Sequence, residues 1–274
     1  MARLTVLDVG AAAPPHPEKG APGVVTWLAQ DGTLWGHAYR VGEERWLSLP
    51  SVGRFRFGAA DGDAVVIPDE GVDHAHLADA YRRCVLPFAL HAHGAEVLHG
   101  SGVVIGGQAV ALCAHAHTGK STLAFALSLR GHDLWADDAV VFEAEEAGAV
   151  AVAQPFYLRL RPATRAYFGS DELSSNGASP TLPDRLPLGT VVLLERGGDD
   201  VELDRLRPAE ALTAALEHAY SYDVSHPVRR RQMVETYTHL VASTPVWRLR
   251  FQEGFELVDR VADAVERAVR QGRS

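Results

Sequence analysis

One segment constrains the fold of this chain more than any other. Residues 114–122 read Ala-His-Ala-His-Thr-Gly-Lys-Ser-Thr. They match the pattern of a phosphate-binding loop: Ala or Gly, four variable residues, then Gly, Lys, and Ser or Thr. The apolar run 109–113 before it is typical of a strand, and 123–130 after it is typical of a helix capped by Gly131. Because the motif requires a strand, a loop and a helix in that order, both flanks support it.

The residue types in this segment predict an anion site. Main-chain N–H groups of such a loop and of the following helical turn converge on phosphate, and the helix dipole adds positive charge. Lys120 is expected to reach the outer phosphates, and Ser121 to give its hydroxyl to Mg²⁺. We assign nucleotide binding to Ala114, His115, Ala116, His117, Thr118, Gly119, Lys120, Ser121 and Thr122.

The loop also departs from the common pattern. Ala114 stands at its first position, and His115 and His117 replace small residues. Glycine tolerates the backbone angles of an anion nest better than histidine does. Either His117 adopts a strained conformation, or the loop has another shape. A histidine here either contacts phosphate, with a charge that varies near neutral pH, or faces solvent.

Composition excludes several classes of protein. A length of 274 residues allows one large domain, or one domain and a smaller one, and the net charge of −9 disfavours nucleic-acid and anionic-membrane partners. The N-terminus lacks the apolar core and cleavage site of a signal peptide, and no apolar run approaches the roughly 18 residues of a membrane span. Cys84 and Cys113 lie far apart in apolar contexts, which favours buried thiols and a cytoplasmic location.

Local patterns divide the chain into a β-rich N-terminal region, 1–92, and an α/β domain, 93–274. In the first region, after a loop at 11–24, we predict a helix over 74–91 that Pro87 kinks or ends, and five strands at 25–29, 34–39, 45–49, 54–57 and 64–68. In the second, we predict a loop at 173–187; helices at 208–220, 228–241 and 254–271; and strands at 97–105, 108–113, 132–136, 139–143, 149–153, 156–160, 190–194 and 246–251. Gly106-Gly107 is the turn of a hairpin. Apolar surface on the C-terminal helices makes a homo-oligomer a candidate assembly.

An acidic doublet, Asp137-Asp138, lies between two β-prone runs downstream of the predicted phosphate loop. It is either a solvated turn or part of the site, since Mg²⁺–nucleotide needs an acidic partner and an attacking hydroxyl needs a base. The sequence does not separate the two roles. We expect Asp138 near Mg²⁺, together with Ser121, and Asp137 as the base.

Several other polar residues are candidates for the site or for a second one. His99 precedes the hairpin, and a lone histidine at a strand end is usually structural. Arginines that follow the later strands are expected either to face the site or to be solvated: Arg159, Arg161 and Arg165. The run 229–231 (Arg-Arg-Arg) either contacts an acidic peptide or phosphate, or forms a solvated helix face.

A family resemblance rests on three short motifs that follow one another along the chain. They are 98–100 (Leu-His-Gly), 119–121 (Gly-Lys-Ser) and 131–138 (Gly-His-x-Leu-x-Ala-Asp-Asp). Over roughly 95–200 the chain resembles the catalytic domain of HPr kinase/phosphorylase, the bacterial serine kinase. It resembles more closely the HPr-kinase-related proteins found beside lasso peptide genes. The resemblance implies a phosphoenolpyruvate-carboxykinase-like fold, places His99 and one acid of the doublet in the catalytic centre, and gives Gly119–Thr122 to nucleotide and Mg²⁺.

The resemblance has limits. The family's second signature, an acidic residue before Ile/Val-Arg-Gly and a further glycine, has no clear counterpart after Phe156, where 156–162 stands instead. Phosphorylase activity, hexameric assembly and HPr as substrate are therefore not carried over. The N-terminal region shows no match to the regulatory domain of the full-length enzyme.

The resulting hypothesis is an ATP- and Mg²⁺-dependent kinase, with Lys120, His99 and the acidic doublet at its centre. It phosphorylates a hydroxyl, expected to be a serine of a peptide or protein such as a natural-product precursor peptide. Two alternatives stay open: a nucleotide-binding regulatory or scaffold protein with little turnover, and a kinase of small-molecule hydroxyls. The sequence does not distinguish ATP from GTP or pyrophosphate as donor.

Overall fold

The chain divides into two units, the first made of Met1–Ala95 and Tyr220–Gln232 and the second of Glu96–Ala219 and Met233–Ser274. Residues 220–232 thus join the first unit, although the sequence analysis placed them in the second domain. The computed structural model describes residues 4–6, 24–28, 32–42, 44–57, 64–169, 182–222 and 227–272. The predicted loop at 11–24, apart from its last residue, and most of the predicted loop at 173–187 lie outside these ranges.

The first unit is built on a six-stranded sheet with the order β1-β6-β5-β4-β3-β2. Its pairs are antiparallel except for the parallel pair of β1 and β6. The five strands predicted for this region are all present. The strands are β1 (Leu4–Val6), β2 (Val25–Leu28), β3 (Leu34–Val41), β4 (Glu44–Leu49), β5 (Gly53–Phe57) and β6 (Ala64–Pro68).

Helical segments cover one face of this sheet. They are α1 (His74–Ala80), a π-helical turn (Tyr81–Val85) and α2 (Leu86–Ala92). Pro87 lies in the first turn of α2, directly after the widened π-helical turn, and it has no N–H to bond to that preceding turn. The predicted interruption is therefore confirmed. The predicted apolar face is buried as well: Leu77, Tyr81, Val85 and Phe88.

The second unit is built on a nine-stranded mixed sheet in which β13 is central. The last part of β13 pairs in parallel with β9 and β15, while its first part pairs antiparallel with β12. The sheet curls because one long strand serves two sets of neighbours. The strands are β7 (Glu96–Leu98), β8 (Gly100–Ile105), β9 (Gln108–Cys113), β10 (Asp133–Ala136), β11 (Val140–Glu145), β12 (Gly148–Val152), β13 (Arg185–Arg196), β14 (Glu202–Arg205) and β15 (Val246–Phe251).

Helices cover both faces of this second sheet. They are α3 (Lys120–Leu129), α4 (Pro162–Phe168), α5 (Pro208–Leu216), α6 (Pro227–Ser243, in this unit from Met233 onward) and α7 (Val258–Gly272). Alternate residues of β9 and β13 enter two cores, one shared with α3 and α7 and the other with α5 and α6. This alternation is the mark of a sheet buried on both faces. None of the helices in the described ranges has the length and apolarity to cross a lipid bilayer.

Several elements differ from the sequence-based prediction. The strand predicted over 97–105 is broken at His99 into β7 and β8, which pair with different strands. The segment 156–160 is extended but forms only an isolated bridge rather than a strand. Its apolar residues instead pack against α3 and β10. Neither β14 nor α4 was predicted, and β13 begins at Arg185, inside the predicted loop.

Packing of α3 on the sheet can be tested by making the same substitution, leucine to alanine, at a buried and at an exposed position of the helix. Leu127 is fully buried, whereas Leu129 on the same helix is 61% exposed. We expect Leu127→Ala to lower the free energy of unfolding by about 2–5 kcal/mol, because it leaves a cavity. Leu129→Ala should change it by no more than about 0.5 kcal/mol. Urea unfolding measures both, and equal losses would contradict the orientation of α3.

Candidate functional site

The predicted phosphate loop, residues 114–122, lies between β9 and α3, so the strand–loop–helix placement is confirmed. Gly119 is the N-cap of α3 with φ +111°, and His117 has φ +71°. Left-handed residues on either side of Thr118 are typical of a main-chain anion nest, and the first amides of α3 continue it. Of the two alternatives, His117 accepts the unusual backbone conformation.

Lys120 lies over the start of its own loop. Its Nζ donates to the carbonyl oxygens of Ala114 at 2.9 Å and of His115 at 3.2 Å. The side chain is buried, and burial lowers the pKa of its ammonium group, an effect that the charge of Asp138 partly offsets. The loop therefore holds a desolvated cation within reach of its own main-chain nest.

Asp137 is a buried acid with three hydrogen-bond donors around it. Its Oδ1 accepts hydrogen bonds from Ser101 Oγ at 2.6 Å and Ser121 Oγ at 2.9 Å, and its Oδ2 accepts from the main-chain N–H of Arg159 at 3.3 Å. Burial, and then the neighbouring charge of Asp138, raise the pKa of its carboxyl to about 6 in spite of these bonds. The carboxylate thus ties β8, α3 and the 156–160 segment to the end of β10.

Asp138 has a different backbone conformation and different neighbours from Asp137. It has φ +64°, a left-handed conformation that aspartate tolerates better than most residues. It is half-buried, and its negative charge partly offsets the lowering of the pKa values of His99 and Lys120 by burial. The doublet is therefore divided: one acid is bonded to the hydroxyl of Ser121, and the other lies near Lys120 and His99.

Three histidines lie beside Lys120. The main-chain N–H of His99 donates to the carbonyl of His218 at 2.6 Å, and the rings of His218 and His115 are 5.1 Å apart. Burial, followed by nearby positive charge, lowers the pKa values of His99 and His218 to about 4. Both imidazoles are therefore neutral at pH 7. His218 was not predicted, because only the bridge between Leu98 and Ala219 brings it here.

Arg196 is a second residue that the sequence analysis missed. It ends β13, the parallel neighbour of β9, and its Nη2 is 3.5 Å from where a Cβ on Gly119 would lie. Its Nη1 donates to the carbonyl of Gln252 at 2.9 Å, and the guanidinium lies over the ring of Phe251. Carboxyl ends of parallel strands meet at one edge of a sheet, so the pairing of β9 with β13 would have revealed this arginine.

The predicted arginines after the strands have different positions. Arg161 contacts the ring of His117, and both side chains are exposed. Arg159 uses its main-chain N–H toward Asp137 while its side chain is exposed. Arg165 lies on α4, whose Thr164 shares a hydrogen bond of 3.0 Å with Thr122. Thr122 therefore contacts α4, and the side chain of Arg161 touches the predicted loop at His117.

The structure thus brings His99, Lys120, Ser121, Asp137 and Asp138 together at one end of the sheet. Within the described ranges, no group of three or more histidine, cysteine, aspartate or glutamate side chains is arranged to hold a metal ion. A cation at this place would accordingly depend on Ser121, one or both acids, and oxygens supplied by a ligand.

Comparisons with known proteins add a distant structural similarity. No protein-family model matches the chain, and neither does any curated protein. Among solved structures, it is similar to the Hpr(Ser) kinase/phosphatase from Coxiella burnetii, with a TM-score of 0.38 and 15% sequence identity over 65% of this chain and 99% of that chain. A similarity of this size does not establish a shared activity. The function proposed below therefore rests on the geometry of the site.

The buried His218 should make stability depend on pH. The pKa of His218 is about 4 in the folded protein, whereas the ordinary value of 6.5 applies to the unfolded chain. Between pH 4 and 6.5 the unfolded chain therefore binds more protons than the folded protein. Stability contributed by neutral His218 is present above pH 6.5 and is lost as the pH falls toward 4. We expect His218→Gln to make the free energy of unfolding less steep over this window, by at most about 1.4 kcal/mol per pH unit.

Asp137 changes the pH dependence of the free energy of unfolding in the opposite direction, so the two proteins must be compared over the same pH range. Its folded pKa of about 6 is above its ordinary 3.8, so its linkage favours the folded state at the lower pH. Urea unfolding of both proteins between pH 4 and 7 isolates the histidine. Identical slopes for the two proteins would show that His218 is not held neutral by burial.

Proposed function

We propose that the second unit is a P-loop kinase domain of the HPr-kinase-like type, which uses ATP and Mg²⁺ to phosphorylate a hydroxyl. The observation that carries the proposal is the hydrogen bond between Ser121 and Asp137, next to the ammonium group of Lys120. In P-loop enzymes, the hydroxyl after the lysine and an acidic residue at a strand end hold Mg²⁺ together.

The nucleotide phosphates are assigned to the predicted phosphate loop. The left-handed His117 and Gly119 arrange the main chain as a nest, and the first turn of α3 adds N–H donors. Lys120 now bonds to two loop carbonyls and would exchange them for phosphate oxygens, which are stronger acceptors. Arg196, next to Gly119, adds a second cation at the same place.

The residues present fit a magnesium ion. Mg²⁺ prefers oxygen ligands, and Ser121 and Asp137 offer a hydroxyl and a carboxylate already in contact. A buried carboxyl with a raised pKa gains from a neighbouring cation, because the cation stabilises its charged form. This geometry favours Asp137 as the metal residue and Asp138 as the base, the reverse of our expectation from sequence. When bound, Mg²⁺ neutralises charge on the phosphates.

Asp138 is suited to accept the proton of the attacking hydroxyl. It is half-buried and lies near both Lys120 and His99. As the acceptor's O–H bond breaks and its proton passes to Asp138, the new O–P bond forms and the bond between the γ-phosphorus and its bridging oxygen breaks. Neutral His99 beside this carboxylate orients the hydroxyl by a hydrogen bond without adding another positive charge.

One observation favours a second candidate function. Lys120 is held by two carbonyls of its own loop, which also contains exposed histidines. Such a loop could bind a nucleotide slowly or weakly, as in a regulatory or scaffold protein with little turnover. The two candidates differ in whether phosphate leaves the nucleotide.

The division of roles within the doublet can be tested by isosteric substitution. We expect Asp137→Asn to weaken Mg²⁺ binding in the presence of a nonhydrolysable ATP analogue by at least about tenfold. Asp138→Asn should keep that affinity and lower the rate of transfer by about 10² to 10⁴. Asp133→Asn, an exposed change on β10, is the matched control. Equal losses of Mg²⁺ affinity in both site variants would contradict the division.

The kinase proposal itself is tested by transfer of radiolabelled phosphate. The acceptors are serine-containing peptides, including any precursor peptide encoded beside the gene, and free alcohols as small-molecule acceptors. We expect labelled peptide with the wild-type protein and none with Lys120→Ala, whose nucleotide affinity should fall roughly 10- to 100-fold. Tight nucleotide binding with no transfer to any acceptor would favour the regulatory alternative, and full ATP affinity in Lys120→Ala would refute the loop assignment.

A further inference from the structure

The first unit contains a pocket that the proposed kinase site does not use. It has a volume of about 330 Å³ and a basic lining. No aspartate or glutamate from the described ranges lines it. The polar side chains that do so include Arg40, Arg45, His91, Tyr222, Arg229 and Gln232.

Two of the arginines occupy positions that belong to the apolar face of the sheet. Arg40 and Arg45 are directly opposite each other on β3 and β4. Along each strand they lie two residues from the buried pair of Ala38 and Leu47. Since side chains two residues apart share a face, both arginines continue a row that is otherwise core. Arg45 is also opposite the buried Phe57 on β5. The row thus changes from apolar to cationic where the pocket begins.

This pair is electrostatically unfavourable by itself. Like charges directly opposite on neighbouring strands repel each other. No ion pair joins Arg40 or Arg45 to a carboxylate of the described ranges. The nearby acid Glu44 precedes Arg45 on β4, so it lies on the opposite face of the sheet. There it forms an ion pair with Arg56 at 2.6 Å. An anion between the two guanidinium groups would replace the repulsion by attraction.

The rest of the lining is held in place by hydrogen bonds. Arg229 donates from Nε to the carbonyl of His91 at 2.9 Å and from Nη2 to that of Ala95 at 2.8 Å. The main-chain N–H of Tyr222 donates to His91 Nδ1 at 3.2 Å, which assigns the ring hydrogen to Nε2. His91 is therefore a hydrogen-bond donor, and the walls are preformed.

We propose that this pocket binds a compact dianion, either a phosphoryl group or a pair of carboxylates. Planar guanidinium groups form paired hydrogen bonds with both chemistries. A volume of about 330 Å³ is at the small end of ligand sites. The dianion comes either from a small molecule or from the acidic side chains of a peptide. This site is separate from the proposed kinase centre, and neither depends on the other.

The test is calorimetric titration with inorganic phosphate, succinate and a short capped peptide containing two adjacent glutamates. Titrations use the wild-type protein and the Lys120→Ala variant, so that phosphate bound at the predicted loop is recognised separately. We expect the double variant Arg40→Gln/Arg45→Gln to bind at least one of these probes about tenfold or more weakly than its parent. The control is Arg230→Gln, which removes an exposed charge outside the pocket and should leave affinity unchanged.

Thermal unfolding shows whether a loss of binding is a loss of folding. In anion-free buffer, the double variant should unfold at the same temperature as the parent or higher, because a repulsion has been removed. A preference for succinate or phosphate over the peptide identifies a small-molecule ligand, and the reverse order identifies a peptide. The proposal is overturned if no probe binds, if the double variant binds as tightly as its parent, or if Arg230→Gln loses as much affinity.

Discussion

A buried carboxylate joins three segments at the end of the second unit where the candidate site lies. Asp137 accepts hydrogen bonds from Ser101, Ser121 and the main chain of Arg159, which belong to three different segments. Burying a charge is unfavourable unless its acceptor atoms are satisfied, and even so the pKa of this carboxyl stays raised. Because burial raises the pKa of this hydrogen-bonded carboxyl to about 6, a neighbouring cation would stabilise its charged form. The bond from Ser121 also ties this carboxyl to the start of α3, so the residue that we propose as the metal ligand also contributes to the packing.

Burial also sets the charge of the basic groups around this acid. Lys120 is buried among loop carbonyls, and the pKa values of His99 and His218 are lowered first by burial and then by nearby positive charge. The arginines of the pocket in the first unit present the reverse situation, since they lie side by side with no carboxylate from the described ranges in the lining.

Local patterns predicted the hairpin at Gly106-Gly107, the strand before the loop and the helix after it, because these elements depend on neighbouring residues. The break at His99 was missed because a run of β-prone residues does not show which strand each half will pair with. His218 and Arg196 reach the site only through sheet topology. The roles within the acidic doublet could not be separated either, since the two acids are identical in the sequence and differ only once the fold has set their burial, hydrogen bonds and backbone angles.

The central claim is that Ser121 and Asp137 hold a divalent cation beside a nucleotide in the predicted phosphate loop. Its most direct test is a crystal structure of the protein with Mn²⁺ and a nonhydrolysable ATP analogue, in which anomalous scattering locates the metal. The account requires one Mn²⁺ peak next to the Ser121 hydroxyl and the Asp137 carboxylate, with phosphate oxygens on the loop amides and Lys120. A nucleotide bound elsewhere, or a metal peak remote from both side chains, would contradict it.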